Sequence, residues 1–337
     1  MKKVSKIISI TALVLSLAPF SFSQDIHFSQ FFQAPLLRNT ALAGIYTGDI
    51  RVQAVYRSQW NSVTDAYKTA SLEAEYKMPV GKLNDFVTAG MQLLYDKAGT
   101  IGWTSTQLMP ALNYHKSLSE EKNRYLSLGF MGGIIEQWFD RSKMTTNNQY
   151  DNGFDGETIP ANQYHYFDGS VGLSYNSDLN ESPDNNFFLA AAYHHFNKPK
   201  ISFYNDQGIV LSPKWVFSGG IRFGVSDISY LTIQADHSMQ GAYEETIAGA
   251  MYGFKLGSDH DQSDYMIHGG AFLRWNDALI PAIKLDYNPF SVTLSYDVNI
   301  SKLKSSSYGR GGFELSVSYI GLRKNNSSSE ALRCPRF

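Results

Sequence analysis

The sequence predicts an all-β fold, a transmembrane antiparallel β-barrel of about fourteen strands preceded by a short N-terminal plug or cap segment. Three observations carry the prediction. Apolar and polar residues alternate with a period of two over segments about ten residues long, the length a tilted strand needs to cross a bilayer. The chain is rich in Tyr (21), Phe (21) and Gly (27) yet only 18% charged, which suits an apolar outer wall around a polar lumen better than a surface facing water. The connections alternate in length, as in barrels whose two termini lie on one side.

The elements follow in chain order. Lys2, Lys3 and Lys6, the apolar run IISITALVLSLAPF and the small residues Ser21 to Ser23 make residues 1–23 a cleaved secretory signal peptide, so the protein is expected in the outer membrane as an exported multi-pass barrel. No cysteine follows that run, which argues against a lipoprotein anchor. Elsewhere there is no apolar run of about 18 residues to form a membrane helix. Residues 24–48 form the N-terminal plug or periplasmic segment, 49–322 the barrel and 323–337 a C-terminal periplasmic tail.

Strand one, IRVQAVYRSQW, puts Ile50, Val52, Ala54 and Tyr56 on one face and Arg51, Gln53 and Arg57 on the other. KTASLEAEYKM and SVTLSYDVNI repeat the pattern, with Glu73, Glu75 and Lys77 opposite Leu72, Ala74 and Tyr76. Strands are expected to begin near Asp49, Lys68, Asp85, Gly102, Arg124, Gln163 and Asn186, then near Lys214, Ile228, Glu245, Asp264, Ala278, Phe290 and Gly312. The Pro110 and Gly132 regions match least, and bulges or short strands are expected there. The longest connections, around residues 136–162 and 197–213, fall at odd positions, whereas PVGKLN, GVSD and DYNP fall at even ones, with YNSDLNESPDN an even-numbered exception of middling length.

Trp60, Trp138, Trp275, Trp103 and Trp215 all fall at the rim with the long loops, with Tyr76, Tyr114, Tyr175, Phe223, Phe254, Phe290 and Tyr319 at the other. Two aromatic girdles are the expected result. Trp103 alone has the wrong parity for lipid and is expected in a loop or after a bulge. The lumen side carries both signs of charge: Arg51, Arg57, Glu73, Glu75 and Lys77 early, then His268, Arg274, Lys284, Asp286, Asp297 and Glu314 late. Charges removed from bulk water need partners, so a cross-linked interior is expected rather than a wide pore, with a solvated, water-filled lumen as the alternative.

Catalytic signatures are sparse. HExxH, GxSxG and Walker-type loops are absent. His237 and Ser238 are neighbours that point to opposite faces of a regular strand. SDHDQSD, residues 258–264, lacks the glycine and terminal glutamate of a calcium loop. His194 and His195 are expected adjacent on one strand, unable to share a face for a metal. No catalytic, metal or cofactor site is assigned. The formal charge of −2 gives no reason to expect nucleic acid, and the single Cys334 excludes an intramolecular disulfide.

The stretch Gln24, Asp25, His27, Phe28, Ser29, Gln30, Phe31, then Pro35, Leu36, Asn39, Ala41 and Gly44, followed by Arg57, Gln59 and Trp60, resembles the start of the PorP/SprF family of type IX secretion system outer-membrane proteins. YDVNISKL, GRGGFELSVSY and the terminal Cys334, Pro335, Arg336 and Phe337 are similar to that family's last hairpin and tail. Thr40 stands where the family commonly has proline, which leaves that turn less rigid. The resemblance implies a non-enzymatic role in the secretion and surface attachment of large, adhesin-like proteins with a type IX C-terminal signal domain, a setting of gliding motility in the Bacteroidota. It implies as partners the outer-membrane bilayer, one such secreted protein and the periplasmic ring components, the last through the tail. The residues alone leave a second class open, a channel for small or hydrophobic solutes with an N-terminal plug, and a weaker third, an outer-membrane lipase.

Overall fold

The computed structural model describes residues 25–59, 66–81, 84–119, 122–180, 182, 184–204, 206, 208–257, 265–302, 304 and 309–322. Residues 1–23, where a signal peptide is expected, Trp60, the 258–264 stretch and the C-terminal residues with Cys334, Pro335, Arg336 and Phe337 lie outside these residues.

Fourteen antiparallel strands close on themselves: β1 (Ile50–Gln59), β2 (Tyr67–Pro79), β3 (Phe86–Ala98), β4 (Trp103–Ser117), β5 (Arg124–Trp138), β6 (Gln163–Asp178), β7 (Asn186–His194), β8 (Lys214–Ser226), β9 (Ser229–Gln240), β10 (Tyr243–Leu256), β11 (Tyr265–Arg274), β12 (Ala278–Tyr287), β13 (Phe290–Asn299) and β14 (Arg310–Gly321). Each pairs with its sequence neighbours, and β1 meets β14 with Arg57 opposite Glu314. Closure removes the sheet edges, so every spanning strand can pair its backbone on both sides without water. Every strand starts within two residues of its expected position.

The period of two has a direct physical outcome. Leu72, Leu93, Leu128, Ile134 and Ile283 face outward on bare surface that lipid would cover, while Glu73, Gln92, Ser127, Lys77 and Glu314 point in and are buried. Trp215, Phe217 and Tyr193 cluster on the outer wall at the end with the long loops, hereafter the long-loop end. Tyr265 with Tyr287, Phe290 with Tyr319 and Tyr175 with Phe187 do so at the opposite, short-turn end.

Two expectations need correction. β4 and β5 run unbroken through Pro110 and Gly132, without a bulge. Pro110 lacks an N–H, so the β4–β5 ladder skips Met109 and Pro110 but resumes in the same register at Ala111 opposite Met131. Register shifts occur instead at Tyr296/Val298 and at Gly224/Ser226. His194 and His195 do not sit together on a regular strand: β7 ends at His194, and His195 takes a left-handed φ of 56°, so both side chains are buried inside the barrel.

Candidate functional site

The lumen is occupied by the chain's own N-terminal segment. It was expected at the short-turn mouth, but it runs the length of the barrel. Asp25 meets Gln240 and His195 at the long-loop end, while the Asp49 N–H donates to the Gly321 carbonyl at the short-turn end. Between them lie a 3-10 turn (Phe31–Gln33), a one-turn helix α1 (Pro35–Arg38) and a second 3-10 turn (Thr40–Leu42). Pieces this short are not stable alone, so their order comes from the barrel wall.

Local sequence explains each turn. Pro35 occupies the first helical position, where a missing N–H costs nothing. Asn39 caps the second turn, its Oδ1 accepting the Ala41 N–H at 2.8 Å. Gly44 has φ +84° and donates its N–H to Glu75 at 2.6 Å, and a Cβ there would fall 2.1 Å from Thr88 Oγ1. Gly129 and Gly172 are cross-strand partners facing inward, and the Thr40–Ala41 backbone lies directly on them.

Polar contacts lock the plug to the wall. Glu314 accepts the Ser29 and Gln30 N–H groups, each at 2.7 Å, with Arg57 Nε 3.3 Å away. Arg57 also donates to the His27 carbonyl at 2.7 Å and to Asp297 at 3.2 Å. The Ser29 hydroxyl donates to Asp297 at 2.7 Å, and Arg274 reaches both Ser29 and Asp297. Gln30 Nε2 donates to Ser295 Oγ at 3.0 Å, and Arg38 pairs with Asp236. Apolar anchors alternate with these: Phe28 among Val55 and Leu94, Phe31 edge-on to Phe272 at 5.4 Å, and Leu36 against Met109 and Met131. Gln59 lines a cavity of about 330 Å³ beside Arg274 and Tyr243 at the long-loop end.

A family model described as type IX secretion system membrane protein PorP/SprF matches residues 20–319, which take in the plug and nearly all of the barrel. The chain belongs to the PorP/SprF family. No curated protein matches it by sequence. Among solved structures, the Ralstonia pickettii toluene transporter TbuX is 9% identical with a TM-score of 0.48, over 85% of this chain and 92% of that one. The Pseudomonas putida toluene transporter TodX is 10% identical with a TM-score of 0.47, over 85% and 92%. The monoaromatic hydrocarbon channel CymD is 9% identical with a TM-score of 0.46, over 87% and 94%.

In this PorP/SprF chain the proline-type turn carries Thr40 at the first position after the Asn39 cap, with its hydroxyl buried and unpartnered. Asn39 is already extended (φ −165°, ψ 122°), the backbone a following proline requires. Thr40→Pro is therefore expected to stabilise the protein by about 0.4–1 kcal/mol, read as a higher urea midpoint for unfolding.

The plug tip is held differently. His195 donates from Nδ1 to Asp168 at 2.7 Å and from Nε2 to Asp25 at 2.6 Å, with Lys214 3.7 Å from Asp25. Burial disfavours the imidazolium, but Asp25 and Asp168 outweigh it and push His195 up to about 10. Burial likewise works against the Asp25 carboxylate, and His195 and Lys214 overcome it and hold Asp25 below the usual range. A raised histidine stabilises the fold fully below its unfolded value and loses that contribution as pH rises through about 10. A depressed carboxylate loses its contribution as pH falls below its ordinary range. Protease protection of Asp25 to Ser29 is thus expected to be strong at neutrality and below, and to decline progressively as pH rises toward about 10.

At the long-loop end two connections are folded. In 139–162, Arg141 grips Asp155 with two donors, at 2.8 and 3.2 Å, and a helix α2 (Asn147–Asn152) starts at a Thr146/Gln149 capping box. Tyr150 on this helix and Phe154 just beyond it are 93% and 61% exposed. In 195–213, Phe203 turns back over the mouth against Trp103, Phe139 and Tyr164. Trp103 is thus the first residue of β4 and faces the mouth, neither in a loop nor after a bulge. Ser238 lines the lumen while His237 pairs with Thr246 from the next strand, so the two do not meet.

Proposed function

We propose that this chain is a non-enzymatic component of the type IX secretion system that supports the secretion and surface attachment of a large, adhesin-like protein carrying a type IX C-terminal signal domain. The observation that carries the proposal is the plug: Ser29, Gln30, Arg38, Gly44 and their wall partners fill the lumen along its length. A barrel filled by its own bonded chain is poorly suited to solute passage and well suited to act as a rigid anchor. The braced 139–162 loop, with Tyr150 and Phe154 outermost, offers the aromatic contact area that protein interfaces favour. The plug motif at His27, Phe28, Ser29, Gln30, Phe31, Pro35, Asn39 and Gly44, with Arg57, Gln59 and Trp60, is structural in this reading. The tail, through Cys334, Pro335, Arg336 and Phe337, docks on periplasmic ring components.

Affinity capture from the native membrane tests the proposal. The tagged protein is expected to bring down a secreted protein with a type IX C-terminal domain, with ring components retained only when the tail is present. Recovery of neither under gentle extraction would refute it.

A further inference from the structure

Beside the plug tip, at the long-loop end, lies a cavity of about 390 Å³ that the secretion reading does not use. Its floor is apolar: Ile26 and Leu37 from the plug, Met109, Met131 and Ile135 from the wall. Its wall includes the rings of Trp103, Tyr164, Tyr166 and Phe203, with Phe203 edge-on to Trp103 and Tyr164 at 4.9 and 4.6 Å. Aromatic faces of this kind attract a cation.

The charges in the cavity do not balance. Asp25, Asp96 and Asp168 line it, against His195 and Lys214. Asp25 takes up both cations, and Asp168 spends only one oxygen on His195. The other, Oδ1, is buried with no hydrogen-bond partner, on a residue only 2% exposed. Asp96 accepts one bond, from the Thr69 hydroxyl at 2.6 Å, and forms no ion pair among the described residues. Its cross-strand partner Ser105 also lines the cavity with its hydroxyl buried and unpartnered. Buried acceptors without donors are costly, and both residues border the cavity, so a donor that enters it can relieve that cost.

We propose that this cavity binds a basic side chain of lysine type, presented by a polypeptide arriving at the long-loop end. The alkyl stem lies on the Leu37, Met109 and Met131 floor, and the ammonium meets the Asp168 carboxylate, while Asp96 adds negative charge nearer the Phe203 ring. The fit follows from the lysine side chain itself, an apolar stem with a charged head carrying three donors. The site does not depend on the secretion reading, because a lone peptide side chain suffices to fill it.

Calorimetric titration of the purified full-length barrel in detergent tests this, with the probes acetyl-Gly-Lys-Gly-amide and its norleucine counterpart. The lysine peptide is expected to bind saturably at one site, and the norleucine peptide roughly tenfold or more weakly. Asp168→Asn and Phe203→Ala should each weaken lysine binding. The second variant lies in a loop and removes a ring without touching charge, so it remains informative if the first misfolds. Absence of saturable lysine binding, equal binding of norleucine, or parent-like binding by Phe203→Ala would overturn the proposal.

Discussion

Glu314→Ala is expected to destabilise the protein by about 3–5 kcal/mol, the usual cost of removing one partner from a buried charge network. Glu314 is completely buried and does three things at once. It accepts the Ser29 and Gln30 N–H groups and it faces Arg57 at the seam between β1 and β14. Alanine leaves two buried amides without acceptors and removes one of the two carboxylates beside the Arg57 guanidinium, the other being Asp297. These losses share one network and do not simply add. Glu314→Gln keeps the shape and one acceptor, and should cost less. The checks are the urea midpoint in lipid vesicles and the protection of Ser29 and Gln30 from added protease. An unchanged midpoint and unchanged protection in Glu314→Ala would contradict the role given to this residue.

The second large effect is steric. Gly129→Leu is expected to push the plug off the wall while leaving the strands paired. A Cβ at Gly129 would sit 2.6 Å from the Thr40 carbonyl carbon and 2.7 Å from the Ala41 nitrogen. Both are backbone atoms and cannot rotate away. Even alanine is expected to cost about 1–3 kcal/mol as an overpacked contact. Leucine should make Thr40 to Gly44 accessible to protease while the barrel keeps its heat-resistant gel mobility. Full protection of the plug in Gly129→Leu would show that its backbone does not rest on this wall.

The barrel was legible because each strand repeats one simple physical demand, apolar toward lipid and polar toward the lumen, about every ten residues. The same alternation puts Arg57, Asp297 and Glu314 on the lumen side whatever their partners are. The path of the plug was not legible. Its turns have no period, and the wall that orders it is assembled from residues such as Gly129, Gly172 and Glu75, which meet only once register is set. The Asp25–His195–Asp168 contact was hidden for the same reason, since it needs the left-handed turn at His195. One feature was readable and missed: Thr146 followed three residues later by Gln149 is a capping-box signature within the 139–162 loop. Pro110 reads in sequence as a break in the strand. In a strand it can lose one ladder bond and leave register intact.

The chain's own N-terminal segment fills the lumen, and the proposed anchoring role rests on that filling. Planar-bilayer recording of the purified full-length protein tests this most directly, beside a variant lacking residues 25–44. The full chain is expected to hold a closed baseline, and the deletion to pass a steady ion current through the emptied barrel. A steady, wide-pore current from the intact protein would contradict the account.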